Sequence, residues 1–136
     1  MPVSLTSIGT YAFLGCTSLT DEVANYILTK ITTIPTSTFS GCTKLSEIVI
    51  PTTITSIGQN AFYNAGLTSV IISDGTQSLT INTDAFPGCP LETLYLGRIF
   101  SYTTTSASGS PFYNKTSIHT VTLGNNVNTL PNYVFN

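Results

Sequence analysis

At 136 residues the chain is long enough for one continuous core and too short for two independent ones. Hydrophobic residues make up 41% of it and charged residues only 7%, against an ordinary charged share of roughly a quarter. Four Lys and Arg residues and a formal net charge of -2 exclude the clustered positive charge that nucleic acid or an anionic membrane surface requires. Ser and Thr, at roughly three residues in ten, must carry solubility instead. No apolar run approaches the roughly 18 residues of a membrane span, so no membrane insertion is expected.

Taken in chain order, the first copy of a pattern runs from Leu5 through Ile8, Gly9 and Phe13. Phe recurs at 13, 39, 62, 86, 112 and 135, at separations of 26, 23, 24, 26 and 23. Five residues before these stand Ile8, Ile34, Ile57, Ile81, then Ala107 as the exception, then Leu130. A turn former follows in each regular copy: Gly9, Pro35, Gly58, Asn82 and Pro131. Leu5 to Ile8, Ile54 to Ile57 and Val127 to Leu130 alternate in polarity and are read as short extended stretches.

After the first Phe, Leu19, Val23, Tyr26 and Ile27 fall at i, i+4, i+7 and i+8. This spacing predicts a short helix near 20–28, with Thr20 placed to cap it, acids in the first turn and Lys30 near its end. Later copies carry a second apolar set downstream of Phe: Leu45, Ile48, Ile50; Leu67, Val70, Ile72; Leu91, Leu94, Leu96; Ile118, Val121, Leu123. The last three positions of each alternate, as in a strand with one buried face. The segment Ser101 to Ser110, rich in Ser, Thr and Gly, is a loop by composition.

One such coil cannot bury its own apolar row, so neighbours must stack on it. The expected fold is a mainly β solenoid of leucine-rich-repeat type, in the α/β horseshoe-like class, with about six coils of roughly 24 residues. Residues 1–136 are expected to form a single solenoid, an excerpt of a longer array. The last copy stops at Phe135-Asn136, before its strand. An uncovered apolar row there is expected to permit end-to-end self-association.

The wording T-S-I-G-x-x-A-F-x-G-C-x-x-L-x-x-I-x-I-P becomes visible across the copies. It runs from Thr6-Ser7-Ile8-Gly9 to Phe13-Leu14-Gly15-Cys16, and again from Phe39-Ser40-Gly41-Cys42 to Ile50-Pro51. It resembles the BspA-like class of leucine-rich repeats over essentially the whole chain. The resemblance implies a surface or secreted protein of host-associated anaerobic bacteria or some protozoa, extracellular or cell-surface in location, that adheres to a host surface or matrix protein. A structural spacer in a larger surface protein, with no ligand of its own, is the alternative. The resemblance carries no catalytic motif and no fixed ligand contacts, and no enzyme activity or cofactor is expected.

Cys16, Cys42 and Cys89 share one column, three residues after Phe. Neighbouring coils would hold their β-carbons roughly 4.8 Å apart, where a disulfide wants roughly 3.5 to 4.5 Å. Buried free thiols are therefore expected over a disulfide. A zinc site is not expected, because the lone His119 lies outside that column. Aligned strands put His119 beside Glu92, either a solvated cross-strand pair or an acid-base pair with no third member. The outward strand columns read Val49, Ile71, Tyr95, Thr122 and Glu47, Ser69, Thr93, Thr120. The first is the candidate ligand-binding stripe, together with Glu92 and His119; strand propensity alone would also place Val, Ile and Tyr there. Asn114-Lys115-Thr116 matches a glycosylation sequon.

Overall fold

A computed structural model describes residues 4–102 and 107–135. Four successive coils each contribute one short strand to each of two sheets, and both sheets are parallel throughout. One sheet runs β1 (Thr33–Ile34), β3 (Ser56–Ile57), β5 (Leu79–Ile81) and β7 (Phe100–Ser101). The other runs β2 (Glu47–Ile50), β4 (Ser69–Ile72), β6 (Thr93–Leu96) and β8 (Thr120–Leu123). Strands adjacent in a sheet belong to consecutive coils, which is the solenoid that the period demands.

The core lies between the sheets and is made of the repeating columns. Ile48, Val70 and Leu94 line one inward row, and Ile50, Ile72 and Leu96 the next, all buried. Phe39, Phe62, Phe86 and Phe112 are buried and stack face to face, with Phe13 at the near end. Successive ring centroids lie 5.5, 5.4, 5.2 and 5.7 Å apart. The ladder continues to Phe135 at 6.2 Å. Each inner ring is covered on both faces by its own repeat partners, so the coil spacing and the ring spacing enforce each other.

Between the sheets the chain turns through a left-handed residue two positions after Phe, and Tyr11, Ser37, Asn60 and Tyr133, two positions before Phe, are left-handed as well. Gly15, Gly41 and Gly88 hold φ of 70, 72 and 74°, and Asn64 and Asn114 take the same role at 50 and 55°. Glycine adopts this region freely, and Asn tolerates it better than most residues. The backbone at this turn is itself laddered. Gly15, Gly41 and Asn64 donate their N–H to the carbonyls of Ser40, Tyr63 and Pro87 in the next coil, each at 2.8 Å.

Helix α1 spans Asp21–Leu28, as the apolar spacing predicts, and buries Ala24, Ile27 and Leu28. Thr20 occupies the N-cap, but its hydroxyl makes no capping bond. Lys30 lies beyond the last turn, its Nζ 5.0 Å from the Tyr26 ring centroid. The acids of the first turn serve the sheet instead. Asp21 Oδ1 accepts the Ser46 N–H at 2.8 Å, and Asp21 Oδ2 accepts the Ser46 hydroxyl at 2.6 Å. Asn25 Oδ1 accepts the Val49 N–H at 2.9 Å. The helix thus stands where the first coil's strand would, and its side chains satisfy the edge of β2.

Two extended stretches are corrected. Leu5 to Ile8 and Val127 to Leu130 form no strand, and of Ile54 to Ile57 only Ser56–Ile57 pairs. The outer stretches belong to the first and last described coils, which have a described neighbour on one side only. Ala107 does not replace the missing Ile of the fifth copy. Leu79 pairs with Phe100 and Thr80 with Ser101, so Tyr102 follows in the Ile81 position and packs on the core. Ten residues separate Tyr102 from Phe112 where five separate Ile81 from Phe86. Of the loop expected over Ser101 to Ser110, β7 takes Ser101, a 3-10 turn takes Ala107–Gly109, and 103–106 lie outside the described residues.

Candidate functional site

The outward strand column is aligned as the repeat register requires: Val49 opposite Ile71, Ile71 opposite Tyr95, and Tyr95 opposite Thr122. The companion column Glu47, Ser69, Thr93, Thr120 is in the same register. Val49, Ile71 and Tyr95 are half-buried and Thr122 is exposed, because neighbouring coils in a tight parallel stack cover part of each side chain. Tyr95 is also tied down at its tip. Its hydroxyl donates to Asp74, with the two carboxylate oxygens at 2.9 and 2.8 Å. That hydrogen bond to a carboxylate holds the phenol pKa above its ordinary value. The phenol proton is therefore committed within the fold, and what the column offers is a shallow apolar strip.

Glu92 and His119 are neighbours, as the strand alignment predicts. The Glu92 carbonyl accepts the His119 N–H at 3.0 Å and the Thr120 N–H at 3.3 Å. Their side chains stand 3.9 Å apart and are 54% and 65% exposed. The structure adds Thr120, whose Oγ1 lies 3.0 Å from His119 Nδ1. A carboxylate, an imidazole and a hydroxyl are thus contiguous, but the Glu92 contact is longer than a hydrogen bond and the cluster faces bulk water. Such a pair is worth little and is poorly held for proton transfer. No group of three or more His, Cys, Asp or Glu able to hold a metal ion is present among the described residues.

In the cysteine column Cys42 and Cys89 are buried free thiols, whereas Cys16 is exposed, contrary to the expectation for all three. The reason is position: the first coil has no described coil beyond it to cover that residue. Cys42 Sγ donates to the Phe13 carbonyl at 3.1 Å and Cys89 Sγ to the Phe62 carbonyl at 2.9 Å. Each thiol thereby reaches back to the preceding coil. Burial pushes both up to about 11, which keeps them protonated and unreactive. Lys115, in the same column, donates its Nζ to the Cys89 carbonyl at 3.1 Å. Its own pKa is lowered by burial.

Sequence reasoning missed Arg98, a fully buried guanidinium. Nη1 donates to the Thr52 carbonyl at 2.9 Å, and Nη2 to Pro51 at 2.9 Å and Ile54 at 2.8 Å. Among the described residues Nε has no hydrogen-bond partner. Burial lowers the Arg98 pKa, and no carboxylate bridges it among the described residues. Its alkyl stem passes Gly75, whose added β-carbon would lie 3.7 Å from Arg98 Cδ and 2.9 Å from Thr52 Cγ2. The side chain is a pin between coils, and the visible signal is a lone Arg directly after a buried strand.

A second missed feature is where the exposed aromatics lie. Tyr63 and Tyr113 directly follow Phe, and Tyr11 and Tyr133 stand two positions before it. All four are exposed, at 45, 46, 56 and 50%, and all sit on the turn edge that joins the two sheets. Tyr26, Tyr95 and Tyr102 are half-buried.

Among the described residues no helix is long and apolar enough to cross a membrane. Compared with known families, the chain matches the model of the BspA-type leucine-rich repeat region in six copies, over residues 1–93 and 78–136. No curated protein and no solved structure matches it.

Proposed function

Because the chain belongs to the BspA-type leucine-rich repeat family, we propose that it is a non-catalytic interaction module of a cell-surface or secreted protein. Its ligand is a protein, of the kind found on host surfaces or in extracellular matrix, held on the outward face of the β2-β4-β6-β8 sheet. The observation that carries this reading is the register of Val49, Ile71, Tyr95 and Thr122, which forms one continuous strip across four coils. A strip with an apolar centre and a polar rim of Glu92, His119 and Thr120 has the anatomy of a protein contact surface. The exposed, loosely held Glu92 and His119 suit recognition better than catalysis.

The test is binding to an immobilised panel of purified matrix proteins, using the chain and an Ile71→Glu, Thr122→Glu double variant. Retention of wild type, with at least tenfold weaker retention of the variant at an unchanged melting temperature, is the expected result. Equal retention of both would remove this sheet face from consideration.

The far end of the stack supports association with a further coil or a second copy. Val121 and Leu123 occupy the inward columns of β8 yet are 38% and 47% exposed, as is Phe135 at 43%. A cavity of about 390 Å³ opens there between Phe112, Ile118, Val121 and Phe135. Light scattering over a concentration series is expected to show growing mass, and a monomer at every concentration would contradict self-association.

A further inference from the structure

The tyrosine edge is distinct from the strand face and has its own regularity. Leu14, Ser40, Tyr63, Pro87 and Tyr113 are the residues immediately after successive ladder phenylalanines. As far as Pro87 the backbone at this column is tied from coil to coil by the N–H bonds onto the Ser40, Tyr63 and Pro87 carbonyls. Tyr113 follows one coil further on, beside Phe112, whose ring stacks on Phe86, so Tyr63 and Tyr113 lie two coils apart with Pro87 between them. The ring spacings of 5.2 Å from Phe62 to Phe86 and 5.7 Å from Phe86 to Phe112 set the coils that carry the two tyrosines about two interstrand repeats apart, roughly 10 Å.

Both side chains are nearly half exposed. Neither hydroxyl bonds another group among the described residues, in contrast to Tyr95 on Asp74 and Tyr102 on the Asn132 carbonyl at 2.6 Å. A half-exposed Tyr whose hydroxyl has no bond within the fold presents an amphipathic ring face to a ligand. Beside Tyr113 runs a groove of about 390 Å³ lined by Pro87, Asn114, Lys115, Thr116 and Ser117. A smaller one, of about 70 Å³, adds Asp84 and Ser110 on the other flank. The surroundings are hydroxyls and amides, with one acid and one base that carry no net charge together.

We propose that this edge binds an extended, neutral, β-linked polysaccharide, with sugar rings stacked on Tyr63 and Tyr113. A pyranose presents a flat C–H face to an aromatic ring and hydroxyls around its rim, which is the pattern of tyrosines bordered by Asn, Ser and Thr. In an equatorially linked chain the same face recurs at every second sugar, and two coils of this solenoid match that repeat. The edge is straight and open, so it takes a length of chain and not a terminal sugar. The low charge of the protein disfavours a polyanion, which would need clustered Lys or Arg.

The experiment is native affinity electrophoresis in gels containing soluble hydroxyethylcellulose, a neutral β-linked chain. Pullulan, which is α-linked, and polygalacturonate, which is anionic, serve as comparisons. Retardation is expected in hydroxyethylcellulose alone. Tyr63→Ala and Tyr113→Ala should each weaken it about fivefold to tenfold, from the loss of one aromatic contact. The double variant should run unretarded, while Tyr63→Phe and Tyr113→Phe keep most of the effect. Melting temperatures of these variants serve as the folding control. Ile71→Glu, on the strand face, should be retarded like wild type, which separates this surface from the protein-binding one. Unchanged mobility in hydroxyethylcellulose, retardation that the double alanine variant retains, or preference for either comparison polymer would overturn the proposal.

Discussion

Arg98→Met is the sharpest test of how the coils are joined. The substitution keeps an unbranched apolar stem beside Gly75 and removes the guanidinium. Three hydrogen bonds onto the carbonyls of Pro51, Thr52 and Ile54 are lost. Bonds from a charged donor are worth about 1.5 to 3 kcal/mol each, and a buried carbonyl left without a partner costs about 1 to 3 kcal/mol. Against this stands relief from burying a cation, several kcal/mol in real proteins. Nε is already unsatisfied, so part of the desolvation cost has no compensation in the wild type. The balance is a net loss of about 2 to 4 kcal/mol. For a chain of this length that corresponds to a fall in melting temperature of about 10 °C. Thermal and urea unfolding followed by circular dichroism measure it. Arg98→Lys should fall between the two, since one compact ammonium cannot reproduce the planar fork that reaches three carbonyls of the loop between β2 and β3. A melting temperature for Arg98→Met equal to or above wild type would refute the reasoning, because desolvation would then outweigh the three bonds.

Other expectations concern the ladder, the helix and the thiols. Phe86→Ala removes a fully buried ring stacked on both sides and should cost about 3 to 5 kcal/mol in urea unfolding; a loss under 1 kcal/mol would mean the ladder is incidental. Asn25→Ala leaves the Val49 N–H without its acceptor and should destabilise by about 1 to 2 kcal/mol, with faster amide exchange at Val49. Undisturbed exchange there would argue that the helix does not serve the strand edge. A thiol reagent at pH 8 should modify Cys16 rapidly in the folded chain and leave Cys42 and Cys89 unmodified; fast labelling of all three would contradict their burial. Because burial raises the folded pKa of Cys42 and Cys89 to about 11 from the ordinary thiol value of 9.0, their stabilising effect is complete below pH 9. It is lost as pH rises from 9 through 11, where the unfolded thiols ionise and the folded ones do not. Tyr95 and Tyr102, also raised, act in the same sense. The alkaline loss should therefore shrink, without vanishing, in a Cys42→Ala, Cys89→Ala variant, and an identical pH profile would show that the thiols do not contribute.

The period, the strand registers and the helix were legible in the sequence because each is a one-dimensional regularity. Leu19, Val23, Tyr26 and Ile27 announce a helix by their spacing alone. What Asp21 and Asn25 do is not legible in that way, since it depends on β2 lying alongside, some 25 residues later. The fifth copy shows the same limit. Counting back five from Phe112 lands on Ala107, but the register of β7 against β5 puts Phe100 and Tyr102 in that place, and only backbone pairing decides between them. Cys16 obeys the column pattern yet is exposed, because burial belongs to the stack and not to the repeat. The outward column alone makes Tyr95 a free aromatic, whereas Asp74, one coil away, holds its hydroxyl. The exposed edge tyrosines were countable from the start, but their common side emerges only once both sheets and the turn between them are placed.

The helix that closes one side of the β2-β4-β6-β8 sheet also gives the assembly a direction. At β2, Asp21 and Asn25 already occupy Ser46 and Val49, so an extended peptide arriving there would have to compete with two side-chain acceptors and displace a packed helix. At β8 no such guard stands among the described residues, and the inward side chains of that strand are still partly wet. Among the described residues the two margins of the sheet are therefore chemically unlike: one meets side-chain acceptors and a packed helix, the other carries a row of partly exposed apolar side chains.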